Sequence, residues 1–111
     1  MNDLKFVSNK EGESVIITIT GDIDAYHSAK LKEEMSNYIK TDESSIILDL
    51  SNVPYIDSAG LGTLVSILRE TRNIKKSLKL IGLRPNIKRI FEMTRLDKIF
   101  AIFDTIEESA E

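Results

Sequence analysis

The chain has 111 residues, of which 41% are hydrophobic and 30% charged, a composition typical of one soluble globular domain. Its formal net charge is −3, which gives no overall attraction for nucleic acid, and the absence of cysteine excludes disulfides, thiolate metal sites and thiol catalysis. No apolar run approaches the roughly 18 residues of a membrane span, and the first residues lack the pattern of a signal peptide, so we expect a cytoplasmic protein without a membrane partner.

The first third of the chain predicts two strands followed by a helix. Leu4 and Phe6 alternate as a short strand that ends at a turn over residues 9–12. The β-branched run 15–20 predicts a second strand. Asp24 precedes the predicted helix and has the right chemistry to cap it. The apolar residues of this helix recur at helical spacing and are Leu31, Met35, Tyr38 and Ile39.

The remaining two thirds predict alternating strands and helices. Residues 46–50 are almost continuously apolar, as expected of a central strand. Strands are also predicted at 78–82 and 101–103, a helix begins at Pro85, and the acidic residues 104–111 predict a short terminal helix. The apolar residues of the helix after the central strand are Leu61, Leu64, Val65 and Leu68, and those of the helix at Pro85 are Ile87, Ile90 and Phe91.

The predicted order of elements is β-β-α-β-α-β-α-β-α. Repetition of strand, helix and strand is typical of a sheet whose central strands are mostly parallel. We therefore predict an α/β fold in one domain over residues 1–111. It would have a mixed sheet of about five strands with about four helices packed against it.

The segment Asp57-Ser58-Ala59-Gly60 lies between the central strand and the following helix. A serine hydroxyl at a helix start is exposed and close to backbone N–H groups, so it is suited to a phosphate. Serine is also a common N-cap residue. The negative charge of Asp57 interacts favourably with the helix dipole, and this alone would explain its presence. The residues alone leave the phosphate site and the cap as alternatives.

Gly60 and Gly62 both lie in the first turn of that helix. Each costs roughly 1 kcal/mol relative to alanine, so their presence indicates a close approach of backbone. The approach is either to the protein's own sheet or to a partner surface, and the sequence does not decide between them.

Ser58 is also a candidate nucleophile. A nucleophile elbow needs glycine where this chain has Ile56, although His27 and Asp24 supply the residue types of a triad. The glycines lack the further residues of a nucleotide-binding loop, and no cluster has metal-ligand spacing. We therefore expect no enzyme activity, no metal and no cofactor.

Three segments resemble the STAS domain of bacterial anti-sigma factor antagonists. They are residues 21–24 (Gly-Asp-Ile-Asp), 48–51 (Leu-Asp-Leu-Ser) and 57–62 (Asp-Ser-Ala-Gly-Leu-Gly). The resemblance covers nearly the whole chain, including its length and the order of its elements. We expect no flanking segment, so the chain resembles the free-standing antagonists more than the STAS tail of an anion transporter.

The resemblance implies that Ser58 is phosphorylated by a partner that is both an anti-sigma factor and a serine kinase. The unphosphorylated form would bind this partner and release a sigma factor, the phosphorylated form would dissociate, and a separate serine phosphatase would restore it. The alternative is a STAS scaffold or sensor module in a signalling assembly without direct sigma-factor control. The implied partner-binding residues are Asp24, Asp57, Ser58, Ala59, Gly60, Leu61 and Gly62.

Overall fold

Five strands and four α-helices alternate along residues 3–109, the part of the chain that the computed structural model describes. The strands are β1 (Lys5–Glu11), β2 (Ser14–Thr20), β3 (Ser45–Asn52), β4 (Ser77–Ile81) and β5 (Ala101–Phe103). The helices are α1 (Ser28–Ile39), α2 (Ser58–Asn73), α3 (Pro85–Met93) and α4 (Ile106–Ser109), and a 3₁₀ turn at Leu96–Lys98 precedes β5. The predicted α/β order is confirmed. The last two residues of the predicted terminal helix, 110 and 111, lie outside the described range.

The strands lie in one sheet in the order β1-β2-β3-β4-β5. β1 is antiparallel to β2, whereas β2, β3, β4 and β5 are mutually parallel. This arrangement confirms the predicted mixed sheet. Because the carboxyl ends of parallel strands meet at one edge, the segments that leave β2 and β3 start side by side.

Both faces of the sheet are covered. The main core lies between one face and helices α1, α2 and α3, and it includes Leu31, Leu64 and Phe91. The other face carries a small apolar cluster that α4 covers through Ile106. Coverage on both faces explains why the central strand reads as a continuous apolar run. The small cluster consists of Ile16, Ile47 and Ile81, with Phe103 and Ile106 packed against it.

The hairpin turn differs from the prediction. β1 continues through residues 9–11 and pairs with β2 up to Glu11 and Ser14, so the predicted turn over residues 9–12 is wrong. The connection is the two-residue loop Gly12-Glu13, in which Gly12 has a φ of +60°. Short hairpin loops favour positive φ, and glycine adopts it without a steric penalty.

Within residues 3–109, no helix combines the length and apolar character needed to cross a membrane. The same residues contain no group of three or more histidine, aspartate or glutamate side chains placed to hold a metal ion.

Candidate functional site

The loop after β2 lies directly against the loop after β3. The Ile23 N–H donates to the Tyr55 carbonyl at 3.0 Å, and the Asp57 N–H donates to the Ile23 carbonyl at 3.2 Å. These bonds form an isolated parallel bridge between Ile23 and Ile56. The structure therefore brings the Asp24 loop and the serine turn together at one corner, although they are more than thirty residues apart in sequence.

Asp57 caps α2. Its backbone is extended, and its Oδ1 accepts a hydrogen bond from the Gly60 N–H at 2.8 Å. Its Oδ2 accepts a second bond from the Ala25 N–H at 3.1 Å, so one carboxylate holds both loops. The bond from Gly60, followed by that from Ala25, keeps the pKa of Asp57 below its usual range, because both stabilise the charged form. Asp57 therefore has a structural role, as the cap of α2 and as the link between the two loops.

Ser58 is the first residue of α2, and it is exposed together with Ala59. Because Asp57 makes the side-chain capping bond, the alternative in which Ser58 caps the helix is wrong. The Ser58 hydroxyl lies at the positive end of the helix dipole, where added negative charge is favourable. A phosphate at this position would not displace the capping bonds.

The two glycines of the serine turn have different surroundings. A Cβ atom at Gly60 would lie 2.0 Å from the Ile23 carbonyl oxygen, so glycine is required for the two loops to meet. At Gly62 a Cβ atom would find nothing within 4 Å, and the residue is exposed. Internal packing thus explains Gly60 and does not explain Gly62.

The predicted partner-binding residues fall into three classes of exposure. Gly60 and Leu61 are buried, and Asp24 and Asp57 are half-buried. Of the exposed residues, Gly62 lies three positions after Ala59 and four after Ser58, and residues at these spacings share one face of a helix. We call this exposed set of small residues the serine ledge, and it consists of Ser58, Ala59 and Gly62.

Asp24 closes the turn that precedes α1. Its Oδ1 accepts a hydrogen bond from the His27 N–H at 3.0 Å, and its carbonyl accepts one from the Ser28 Oγ at 2.8 Å. The helix starts at Ser28 and its N-cap is His27, which makes no side-chain capping bond. The prediction that Asp24 caps α1 is therefore wrong by three residues, and Asp24 stabilises the turn instead.

His27 is buried beneath this turn. Its Nδ1 lies 2.9 Å from the Asp22 carbonyl oxygen and 3.0 Å from Asp24 Oδ1. Both neighbouring oxygens are acceptors, so Nδ1 carries a hydrogen atom and is the donor in both hydrogen bonds. A carboxylate that orients a histidine is one part of a catalytic triad, but here the contact also fixes the conformation of the Asp24 loop.

Two exposed tyrosines border the site and were not selected from the sequence. Tyr26 is 67% exposed on the Asp24 loop, and Tyr55 is 52% exposed just before the serine turn. Large exposed aromatic side chains are the usual anchors of protein–protein interfaces. The available signal was that both tyrosines lie beside the motif segments and outside the helical apolar stripes.

Comparison with known families gives a match over almost all of the described residues. The sequence profile of the STAS domain family matches residues 5–109. The chain belongs to the STAS domain family. The match includes the serine turn, the Asp24 loop and every strand and helix described above.

Relatives of this STAS domain include proteins named as anti-sigma factor antagonists. The anti-sigma-B factor antagonist of Listeria monocytogenes is 33% identical over 96 residues, which is 86% of this chain and 84% of that protein. The crystal structure of TM1081 from Thermotoga maritima superimposes with a TM-score of 0.87 at 26% identity, covering 95% of this chain and 91% of that one. Bacillus SpoIIAA in its phosphorylated form has a TM-score of 0.71 at 22% identity, with 96% of each chain covered, and shows a shared fold.

Proposed function

We propose that this STAS domain is an anti-sigma factor antagonist that is switched by phosphorylation of Ser58. The unphosphorylated form binds an anti-sigma factor with serine kinase activity in the cytoplasm and thereby releases a sigma factor. The phosphorylated form dissociates until a serine phosphatase removes the phosphate. The domain acts by binding and catalyses no reaction itself.

One observation carries the proposal: Ser58 is exposed at the start of α2 while Asp57 makes the side-chain capping bond. A kinase can therefore reach the hydroxyl, and modification leaves the helix cap intact. The proposal is supported by the Listeria relative, which is named as an antagonist, and by SpoIIAA, for which a phosphorylated form is known.

Phosphorylation changes the surface more than the fold. A phosphate adds about −1.5 to −2 units of charge at neutral pH, directly beside the Asp57 carboxylate. It also fills the serine ledge, where small residues allow a partner backbone to approach. A loss of about 3 kcal/mol in binding free energy would weaken the complex more than a hundredfold, which is sufficient for a switch.

The proposal is tested by phosphorylation and by titration. The protein is incubated with ATP and its candidate kinase, and mass spectrometry locates the phosphate. Calorimetry then measures the affinity of the kinase for the parent, Ser58→Ala and Ser58→Asp. We expect to find the phosphate on Ser58. Ser58→Ala should bind like the parent, and ATP should not reverse its binding. Ser58→Asp should bind more than a hundredfold more weakly without a lower melting temperature.

Ser44→Asp is the matched control, because Ser44 is exposed in the loop before β3, away from the serine turn. It should bind like the parent. Phosphate on another residue, or parent-like affinity of Ser58→Asp, would contradict the proposal. Covalent labelling of Ser58 by a fluorophosphonate probe would favour a hydrolase instead.

A further inference from the structure

A second distinctive surface lies at the opposite end of the molecule from Ser58. Helices α2 and α3 both start at the carboxyl edge of the parallel strands and end at the other edge. The 16 residues of α2 separate its two ends by about 24 Å. The distal basic surface, as we call it, consists of four basic residues, Arg72, Lys75, Arg95 and Lys98, and three apolar ones, Ile74, Met93 and Ile99, all exposed.

A direct hydrogen bond joins the two halves of this surface. Arg72 Nη2, in the last turn of α2, donates to the Ile99 carbonyl at 2.8 Å, just after the 3₁₀ turn. The residues that follow α2 and those that follow α3 therefore form one continuous region.

Two of the basic residues have a left-handed backbone conformation, which is unfavourable for a residue with a side chain. Lys75 and Arg95 have φ values of 61° and 63°, and they are the residues other than glycine with positive φ among residues 3–109. Each follows a helix end, where glycine is the common residue, and the left-handed conformation costs a residue with a side chain roughly 1–2 kcal/mol. By contrast, Thr41, at the corresponding position after α1, does not have a positive φ.

Fold stability does not explain these two cations. Attraction to the C-terminal end of a helix dipole contributes about 0.3–1 kcal/mol at an exposed site, which at most offsets the backbone cost. It also gives no reason for the neighbouring apolar side chains to remain in water. A role in binding accounts for both features.

The exposed apolar residues of the molecule are concentrated at its two ends. Of six large exposed apolar or aromatic residues in the described range, two flank the serine turn and three lie on the distal basic surface. Ile74 is 48% exposed, Met93 76% and Ile99 39%. Clustered exposed apolar side chains among polar ones mark interaction sites.

We propose that the distal basic surface binds an acidic segment of a partner protein that also carries apolar side chains. Charge complementarity selects this occupant, because the surface carries four exposed cations beside exposed apolar side chains. An anionic membrane is the other anionic occupant, and the test below distinguishes it from an acidic segment.

Binding at this surface does not depend on Ser58, and this part of the proposal rests on the proposed function. The two ends of α2 are about 24 Å apart, whereas charges are screened over about 8 Å at physiological ionic strength. A protein that acts on both the phosphorylated and the unphosphorylated form can therefore bind here in either state.

The test measures fluorescence anisotropy of a labelled synthetic peptide that repeats Glu-Glu-Leu, mixed with the full chain. We expect saturable binding that is equal for the parent and Ser58→Asp. The double variant K75G/R95G should bind about fivefold more weakly, because two exposed ion pairs are lost. Its melting temperature should equal or exceed that of the parent, because glycine removes the backbone cost at both positions.

Lys32→Gln, which removes an exposed cation from α1, and a peptide that repeats Gln-Gln-Leu are the controls for charge. Lys32→Gln should bind as the parent does, and the neutral peptide should bind weakly. The proposal is overturned if the parent shows no saturable binding or if K75G/R95G binds equally. It is also overturned if only phosphatidylserine vesicles bind, or if the surface proves to hold a second copy in sedimentation. Failure of the Ser58 titration alone would leave this result unaffected.

Discussion

The two ends of α2 are fixed by different means. At its first turn, contacts with the loop after β2 require particular residues. Asp57 accepts hydrogen bonds from two backbone N–H groups, and Gly60 leaves room for the Ile23 carbonyl. At its last turn, the helix closes on its own backbone, through bonds such as that from the Lys75 N–H to the Arg72 carbonyl. The first end accommodates new charge because its geometry does not depend on Ser58. Just beyond the second end, the side chains of Ile74 and Lys75 are exposed and available to a partner.

The largest effect should come from filling the space between the two loops. Gly60→Val would place side-chain atoms where the Ile23 backbone already lies, so we expect a loss of about 3 kcal/mol or more in the free energy of unfolding. Urea denaturation measures it.

Gly62→Ala is the matched control for this change, since the space around Gly62 is open. It should raise stability by up to about 1 kcal/mol, because alanine favours the helix. Equal losses for both variants would show that the close approach at Gly60 is not what joins the loops.

A smaller effect is expected from Tyr55, and it should fall on binding alone. Tyr55→Ala removes an exposed ring beside the serine ledge, so we expect about tenfold weaker binding of the anti-sigma kinase with little change in melting temperature. Val7→Ala is the control, because Val7 is exposed on the edge strand β1, outside the loops that form the site. Unchanged affinity of Tyr55→Ala in calorimetry would remove the tyrosine from the interface.

Substitutions at Asp24 distinguish its role in the stability of the turn from its role in binding. Asp24→Asn keeps an oxygen that can accept the His27 N–H, so the turn should remain and the melting temperature should change little. Loss of the charge should weaken kinase binding several-fold. For Asp24→Ala we expect a larger loss of binding free energy than of unfolding free energy. A fall in melting temperature at unchanged affinity would assign Asp24 to the turn alone.

The smallest effect concerns pH at the capped end. The pKa of Asp57 is lowered in the fold, so its carboxylate stabilises the protein above the usual pKa of about 3.9, and this contribution is lost as pH falls through the folded value. The stability difference between the parent and Asp57→Asn should therefore shrink as pH falls from 7 towards 2. Glu43, whose pKa is also lowered, is present in both proteins and cancels. A difference independent of pH would show that the charge of Asp57 does not matter.

The order of strands and helices could be predicted because it follows from local apolar periodicity, as for the stripe of α2. The contacts at the site could not be predicted in the same way. Whether Asp57 or Ser58 caps α2, and which glycine is packed, depends on the loop after β2, which is distant in sequence. The left-handed backbone of Lys75 and Arg95 could not be predicted from the local sequence either, because the residue that normally indicates this conformation is glycine.

The corner at Ser58 is joined mainly through main-chain groups, including the N–H groups of Ile23, Ala25 and Asp57. Every residue except proline supplies such a group, so the exposed side chains at positions 25 and 55 can vary without loss of these hydrogen bonds. Under the proposed function, several domains of this kind in one cell can share the same scaffold and bind different partners by changing those positions.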